Sequence, residues 1–154
     1  MEIRTATPAD FAEIWPLFQA VIRSGDTYVF TPETPEQDAY DYWFGRGVRC
    51  WVAVHEQRIV GMYKLIDNQR GLGAHVANAS FMVDQKVRGL GIGKALGLHC
   101  IDQATTLGYR AIQFNLSSAR IHWPSRCGKN WASKLLLHCL KRLTIANSVM
   151  SMPM

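Results

Sequence analysis

The stretch Val87-Arg-Gly-Leu-Gly-Ile-Gly-Lys-Ala-Leu96 decides how this chain is read. Its glycines alternate: Gly89, Gly91 and Gly93. An alternating run, Ala77-Asn-Ala-Ser-Phe-Met-Val83, leads into it, and an apolar-periodic run over residues 95–107 follows. Strand, glycine loop and helix in that order make a backbone cradle for an anion. Without Cβ atoms the loop turns tightly and lets a ligand approach. Its N–H groups and the positive end of the helix dipole then face a phosphate. The competing reading is a glycine-rich turn that binds nothing.

Spacing separates the families that use this physics. A Walker-type loop needs Gly five positions before the Gly-Lys pair and Ser or Thr after it, and Arg88 and Ala95 stand there. A dinucleotide fingerprint, G-x-G-x-x-G, would end on Lys94 or Leu96. What remains is Arg88-x-x-Gly91-x-Gly93. This resembles the acetyl-CoA pyrophosphate loop of the GNAT superfamily of N-acetyltransferases, whose pattern is Arg or Gln, two residues, Gly, one residue, Gly or Ala.

Working outward, residues 74–83 read as the strand before the loop. Its parity puts His75, Ala77, Ala79, Phe81 and Val83 on one face and Val76, Asn78, Ser80 and Met82 on the other. Residues 91–107 read as the helix, closed by Gly108, and residues 109–116 as a further strand. Strand, helix and strand in one sheet imply a parallel pair in a right-handed crossover. Upstream, residues 49–54 and 58–65 form a hairpin around the turn His55-Glu-Gln57, and residues 68–73 are a glycine-containing turn.

At the N-terminus, residues 2–6 read as a first strand. A helix opening at Thr7-Pro8 then places Phe11, Ile14, Trp15, Leu17 and Phe18 at helical spacing, with Pro16 predicting a kink. After an aromatic loop, Thr34-Pro35-Glu36 reads as N-cap, first residue and first-turn acid of a second helix. That helix carries Tyr40, Trp43 and Phe44 and stops at Gly45 or Gly47. This order, with Ile3-Arg-Thr-Ala-Thr-Pro-Ala-Asp10, Val52-Ala-Val54, Ile59-Val-Gly61 and Phe81-Met-Val83, resembles the GNAT fold over residues 1–116. The fold class it implies is α/β: a mixed, mostly antiparallel sheet flanked by helices, with the C-terminal part of the fold missing or altered.

The 154 residues suit one domain with a sizeable core. No run of apolar residues is long enough for a membrane span, and the opening Met1-Glu-Ile-Arg has no apolar signal region. Cys50, Cys100, Cys127 and Cys139 have neither metal-ligand nor redox spacing, so reduced thiols in a cytoplasmic protein are expected. The formal charge of +5 is unevenly placed: residues 117–154 hold six of the seventeen basic residues and none of the twelve acidic ones. The rest is nearly neutral. Nucleic-acid binding would rest on that tail alone, which lacks interleaved aromatics apart from Trp123 and Trp131, so no nucleic-acid partner is expected.

The resemblance implies a GNAT N-acetyltransferase domain over residues 1–116, followed by an atypical basic tail over residues 117–154 in place of the last helix and strands. The family continues from a strand like Gln113-Phe-Asn-Leu116 with Val-Ser-x-Asn, an Ala-containing helix and Lys-x-Gly-Phe, none of which is present. Joining each codon's third base to the next codon's first two makes His122-Trp123-Pro124 encode Leu-Ala and Asn130-Trp131-Ala132 encode Leu-Gly, whatever the codons. Codon choice at neighbouring residues then allows Val-Ser-Thr-Asn-Pro-Leu-Ala-Lys-Ser-Met-Trp-Glu-Lys-Leu-Gly-Phe. A frameshift near residues 116–118 is the hypothesis; a divergent natural C-terminus is its alternative.

The resemblance implies an N-acetyltransferase moving an acetyl group from acetyl-CoA to a primary amine of a small-molecule or amino-acid-like acceptor. The alternative is a catalytically impaired CoA- or phosphate-binding remnant. Pantetheine would lie along the backbone of Phe81, Met82 and Val83, with an N–H of Val83 or Met82 polarising the thioester. The pyrophosphate would sit on Gly89, Leu90, Gly91, Ile92, Gly93 and Lys94, with charge from Arg88 and Lys94. No metal is implied. The family's usual strand Glu is absent, leaving His75, whose ordinary pKa suits a base at neutral pH. Its competing reading is a strand-start histidine without a role. The usual Tyr acid would fall in the tail. The aromatic loop and second helix would border the acceptor, or serve only as core and rim. An uncovered last strand leaves a homodimer open.

Overall fold

Two residues with positive φ make the sharpest turn in the sheet. Glu56 (φ 49°) and Gln57 (φ 61°) join β2 (Arg49–His55) to β3 (Arg58–Asp67) in a two-residue hairpin, whose left-handed backbone matches the twist of paired strands. The computed structural model describes residues 1–23, 30–87 and 89–114. These form a five-stranded sheet in chain order: β1 (Glu2–Thr5), β2, β3, β4 (Val76–Val83) and β5 (Ala111–Phe114). The first four strands pair antiparallel and β4 pairs with β5 parallel, as the crossover requires.

The first helix begins differently from its sequence reading. Pro8–Asp10 is a single 3₁₀ turn, and α1 follows at Phe11–Arg23. Asp10 closes a capping box on Thr7, taking its N–H at 2.7 Å, and also accepts a two-pronged bond from Arg4 at 2.7 and 2.8 Å. α1 stays helical through Pro16. The ring removes the bond to the Ala12 carbonyl, but Ala12 and Pro16 both lie on the exposed face, where that carbonyl is open to solvent. In α2 (Glu36–Phe44), Pro35 is the N-cap rather than the first helical residue, because its carbonyl already accepts from Asp38 and Ala39.

The parity of the strands sorts the core. One face of the sheet carries Cys50, Val52, Ile59, Met62 and Met82 and packs under Phe11, Ile14, Phe18 and Trp43 of α1 and α2. The other carries Trp51, Ala53, Tyr63, Leu65, Ala77 and Ala79 and packs under Ile92, Leu96, Cys100 and Ala104 of α3 (Ile92–Thr106). Gly108 (φ 82°) ends α3: its N–H bonds Thr105 and that of Tyr109 bonds Ala104, satisfying the last carbonyls. Cys50 and Cys100 are buried and form no disulfide among the described residues. Among the described residues no helix is long and apolar enough to cross a membrane. The tail assigned to residues 117–154, with its shifted frame, lies outside the described residues.

Candidate active site

β4 ends at Val83, and the chain then turns onto α3. Asp84 shapes that turn: its side chain accepts from the Lys86 N–H at 2.8 Å and its carbonyl from Val87 at 3.2 Å. Gly89 (φ 84°) and Gly91 (φ 69°) adopt left-handed backbone, which Cβ-bearing residues enter at a cost of roughly 1 kcal/mol or more. Gly91 is the N-cap of α3 and has no side chain to satisfy the helix. The first helical bond runs from Ala95 to Gly91, so the N–H groups of Ile92, Gly93 and Lys94 have no acceptor within the helix.

A Cβ added to Gly89, Gly91 or Gly93 would meet nothing within 4 Å. Three bare backbone positions facing open space, beside three donors with no acceptor in the helix, fit a diphosphate. Lys94 is exposed beside these donors, and Leu90 is half-exposed. Ile92 is buried at 3 % exposure and anchors the turn instead of lining it. It sits over Gly61 of β3, which has no side chain to push α3 away. Arg88, the other cationic candidate, lies outside the described residues.

The strand leading to this cradle has a definite polarity. Asp84 donates to Val60 of β3, and Val76 accepts from Asn68, so even-numbered residues of β4 turn their main-chain groups to β3. His75 accepts from Arg110, just before β5, so odd-numbered residues turn theirs to the other side. Phe81 and Val83 therefore present N–H and C=O toward the β5 side, and Met82 toward β3. The described pairing with β5 covers Val76 to Ala79 only. Cross-strand stacking braces Phe81: its ring lies 5.5 Å from Tyr63, which lies 4.9 Å from Trp51 at an interplanar angle of 9°. The buried Tyr63 hydroxyl is 2.7 Å from Nδ1 of His99 on α3.

His75 falls one residue before β4, not within it, and is exposed. Its Nδ1 is 2.8 Å from the Leu72 carbonyl. Six residues separate it from Phe81, about 20 Å at the rise of a strand.

Sequence reasoning passed over a buried group on the opposite face. Lys64, in mid-β3, is only 5 % exposed. Its ammonium donates to the Tyr42 carbonyl at 2.7 Å and lies 3.0 Å from the centre of the Tyr42 ring. Burial pushes its pKa down to about 8. The Tyr42 hydroxyl donates to Ser80 Oγ at 2.9 Å, and burial raises its own pKa. Cys50, directly opposite Lys64 on β2, is pushed up to about 12 by burial. The signal was legible: a charged residue within the apolar run Ile59-Val-Gly-Met-Tyr-Lys-Leu65.

Comparison with known proteins agrees with this geometry. The model of the acetyltransferase (GNAT) family matches residues 13–128. A GCN5-related N-acetyltransferase from Kribbella flavida is 41% identical with a TM-score of 0.69, over 74% of this chain and 70% of its own. A Salmonella typhimurium protein described as an acetyltransferase, solved with acetyl-CoA, is 22% identical with a TM-score of 0.69, over 91% and 78%. A GNAT superfamily phosphinothricin acetyltransferase from Sinorhizobium meliloti, also in complex with acetyl-CoA, is 21% identical with a TM-score of 0.68, over 91% and 72%. The last two share the fold. No curated protein gives a significant match. A family model over most of the chain, a relative of this identity and a glycine cradle at the head of α3 lead to one conclusion: the chain belongs to the GNAT family of acetyltransferases, enzymes that draw their acetyl group from acetyl-CoA.

Proposed function

We propose that this chain transfers the acetyl group of acetyl-CoA to the primary amine of a small-molecule or amino-acid-like acceptor, in the cytoplasm. The observation that carries the reading is the left-handed glycine cradle continuous with β4. The N–H groups of Ile92, Gly93 and Lys94 hold the pyrophosphate, and the Lys94 and Arg88 cations add charge. The main chain of Phe81 and Val83 lies along pantetheine, with Val83 N–H as donor to the thioester oxygen. When bound, acetyl-CoA supplies an activated acyl carbon; the neutral amine nitrogen bonds to it, the C–S bond breaks, and the proton lost from that nitrogen leaves with the sulfur as the CoA thiol.

The acceptor must lose its ammonium proton first. His75 is the sequence candidate for that proton, but about 20 Å of strand separates it from Phe81, beyond a hydrogen bond or a single bridging water, which argues against that role. His75→Ala with an unchanged pH profile and kcat/KM would remove it from the mechanism. The aromatic layer of α1 and α2 supports a compact acceptor: Phe11 meets Tyr40 edge-on at 5.1 Å, and Phe30 meets Tyr42 at 4.9 Å. The deciding experiment is calorimetric titration with acetyl-CoA together with turnover against a panel of amines. Binding with turnover supports the reading. Binding without turnover on any amine marks a remnant, and no binding overturns the reading.

A further inference from the structure

We propose that Lys64, Tyr42 and Ser80 act as one positioning unit for acetyl transfer, tying the acceptor-side helix α2 to the strand that holds acetyl-CoA. This rests on the function proposed above. Lys64 is costly where it stands. Among the described residues it forms no ion pair, and burying an ammonium without a carboxylate is unfavourable. An apolar side chain would fill the same cross-strand row, Cys50–Lys64–Ser80, without that cost. The ammonium instead performs two tasks at the end of α2. It caps the Tyr42 carbonyl, one of the last four of the helix, where a cation also complements the helix dipole. It also lies on the face of the Tyr42 ring, with Trp43 5.8 Å away.

The ring so held delivers its hydroxyl to Ser80. Ser80 precedes Phe81, whose main chain turns to the cofactor side, so displacement of Ser80 is displacement of the thioester's support. A shift of an ångström in such a site is enough to cost about a hundredfold in rate. The unit therefore joins α2 to the sheet through three contacts, two from Lys64 of β3 and one to Ser80 of β4, and the polar groups that make them add nothing to the apolar packing.

Charge on Lys64 is part of the device. The groups facing it are Cys50 from β2, Ser80 from β4, and Tyr42 and Trp43 from α2. The Cys50 thiol and the Tyr42 phenol both have raised pKa values, so Lys64 is the member that titrates near pH 8. Its deprotonation weakens the contacts with ring and helix end, and the unit slackens as pH rises.

The test uses the full chain and the variants Lys64→Met, Tyr42→Phe and Ser80→Ala, the last two removing only a hydroxyl. Each is titrated with acetyl-CoA and assayed for kcat and KM toward the best amine across pH 6.5–9.5. The expected result is an acetyl-CoA Kd within about twofold of the starting protein and a tenfold or greater loss in amine kcat/KM. Lys64→Met combined with Ser80→Ala should be no worse than the worse single variant, and Lys64→Met should lose the falling limb near pH 8. Unchanged amine kinetics in folded Tyr42→Phe and Ser80→Ala overturn the proposal, as do additive losses in the double variant or equal losses in both substrates. Failure of the starting protein to bind acetyl-CoA overturns the function reading itself.

Discussion

Gly61 of β3 and Ile92 in the first turn of α3 meet across the sheet face. A Cβ built on Gly61 would stand 3.2 Å from Ile92 Cγ2, and 3.1 Å from both Leu96 Cδ1 and the Met82 carbonyl oxygen. The missing side chain thus sets how closely the N-terminal turn of α3 approaches the sheet. Gly61→Ala should destabilise the fold by about 1–3 kcal/mol through overpacking. It should also weaken acetyl-CoA binding, because α3 moves with its own N-terminus. Urea unfolding and calorimetry on the same sample check both; a loss of stability with unaltered acetyl-CoA affinity would show that the cradle does not depend on this contact.

Gly91 tests the cradle directly. Its φ of 69° disfavours any side chain, and an added Cβ would meet nothing within 4 Å, so a side chain there would project into the open space where the proposed cradle receives the pyrophosphate. Gly91→Glu should cost roughly 3 kcal/mol or more of acetyl-CoA affinity, from steric exclusion and like-charge repulsion. Unchanged binding in a folded variant would remove the cradle from the mechanism.

The N-terminal turn should give the fold an acid-sensitive component. Arg4 and the Thr7 turn hold the Asp10 carboxyl well below its usual range, the Arg4 hydrogen bond being the largest cause. A carboxylate with a depressed folded pKa stabilises above its unfolded value, and that stability is lost as pH falls toward the folded one. Asp10→Asn should therefore cost about 1–2 kcal/mol at pH 7 through the lost cap and fork. The gap to the starting protein should narrow steadily below pH 4, as read by urea midpoints.

Lys64 predicts the opposite slope at alkaline pH. Its folded pKa of about 8 lies below the ordinary 10.5, so between these values the unfolded chain holds more protons and stability rises with pH. The full window is worth up to about 3 kcal/mol. Lys64→Met should lose this rise and be the more stable protein at pH 7. A starting protein whose stability relative to Lys64→Met does not grow between pH 8 and 10 would contradict the burial argument.

The tail hypothesis is settled outside the protein first: sequencing the gene across residues 116–118 either restores the frame or ends the idea. If the frame is restored, Val-Ser-Thr-Asn…Leu-Gly-Phe should cover the open side of β5. That version should melt cooperatively with an acetyl-CoA shift of about 2.7 kcal/mol at a hundredfold excess over Kd. Among the described residues nothing pairs with the outer edge of β5, and the chain as written should self-associate there. Equal, monomeric melts with equal shifts would mean the present tail completes the fold.

The periodicities and glycine spacing of this chain determine, by themselves, the element order, the β2–β3 hairpin, the parallel pair across α3 and the place of the glycine turn before that helix. These are local properties: alternation marks a half-buried strand, and Gly91 and Gly108 mark the two ends of α3 because left-handed backbone favours glycine. Tertiary structure decided what depends on distant partners. Strand parity placed His75 on the same side as Phe81, but only the start of β4 at Val76 and the Leu72 contact show it exposed at the strand's far end. The direction of the Phe81 and Val83 amides followed from hydrogen bonds made by Val60, Asn68 and Arg110, which lie outside β4. Lys64 drew no reading from the sequence, where it is a single charge within an apolar run. Its meaning came from α2, twenty-two residues earlier in the chain, whose carbonyl and aromatic ring arrive over it only when the helix packs on the sheet. Local propensity acts over a few residues, while the field around a buried charge is set by whatever the fold brings within a few ångströms.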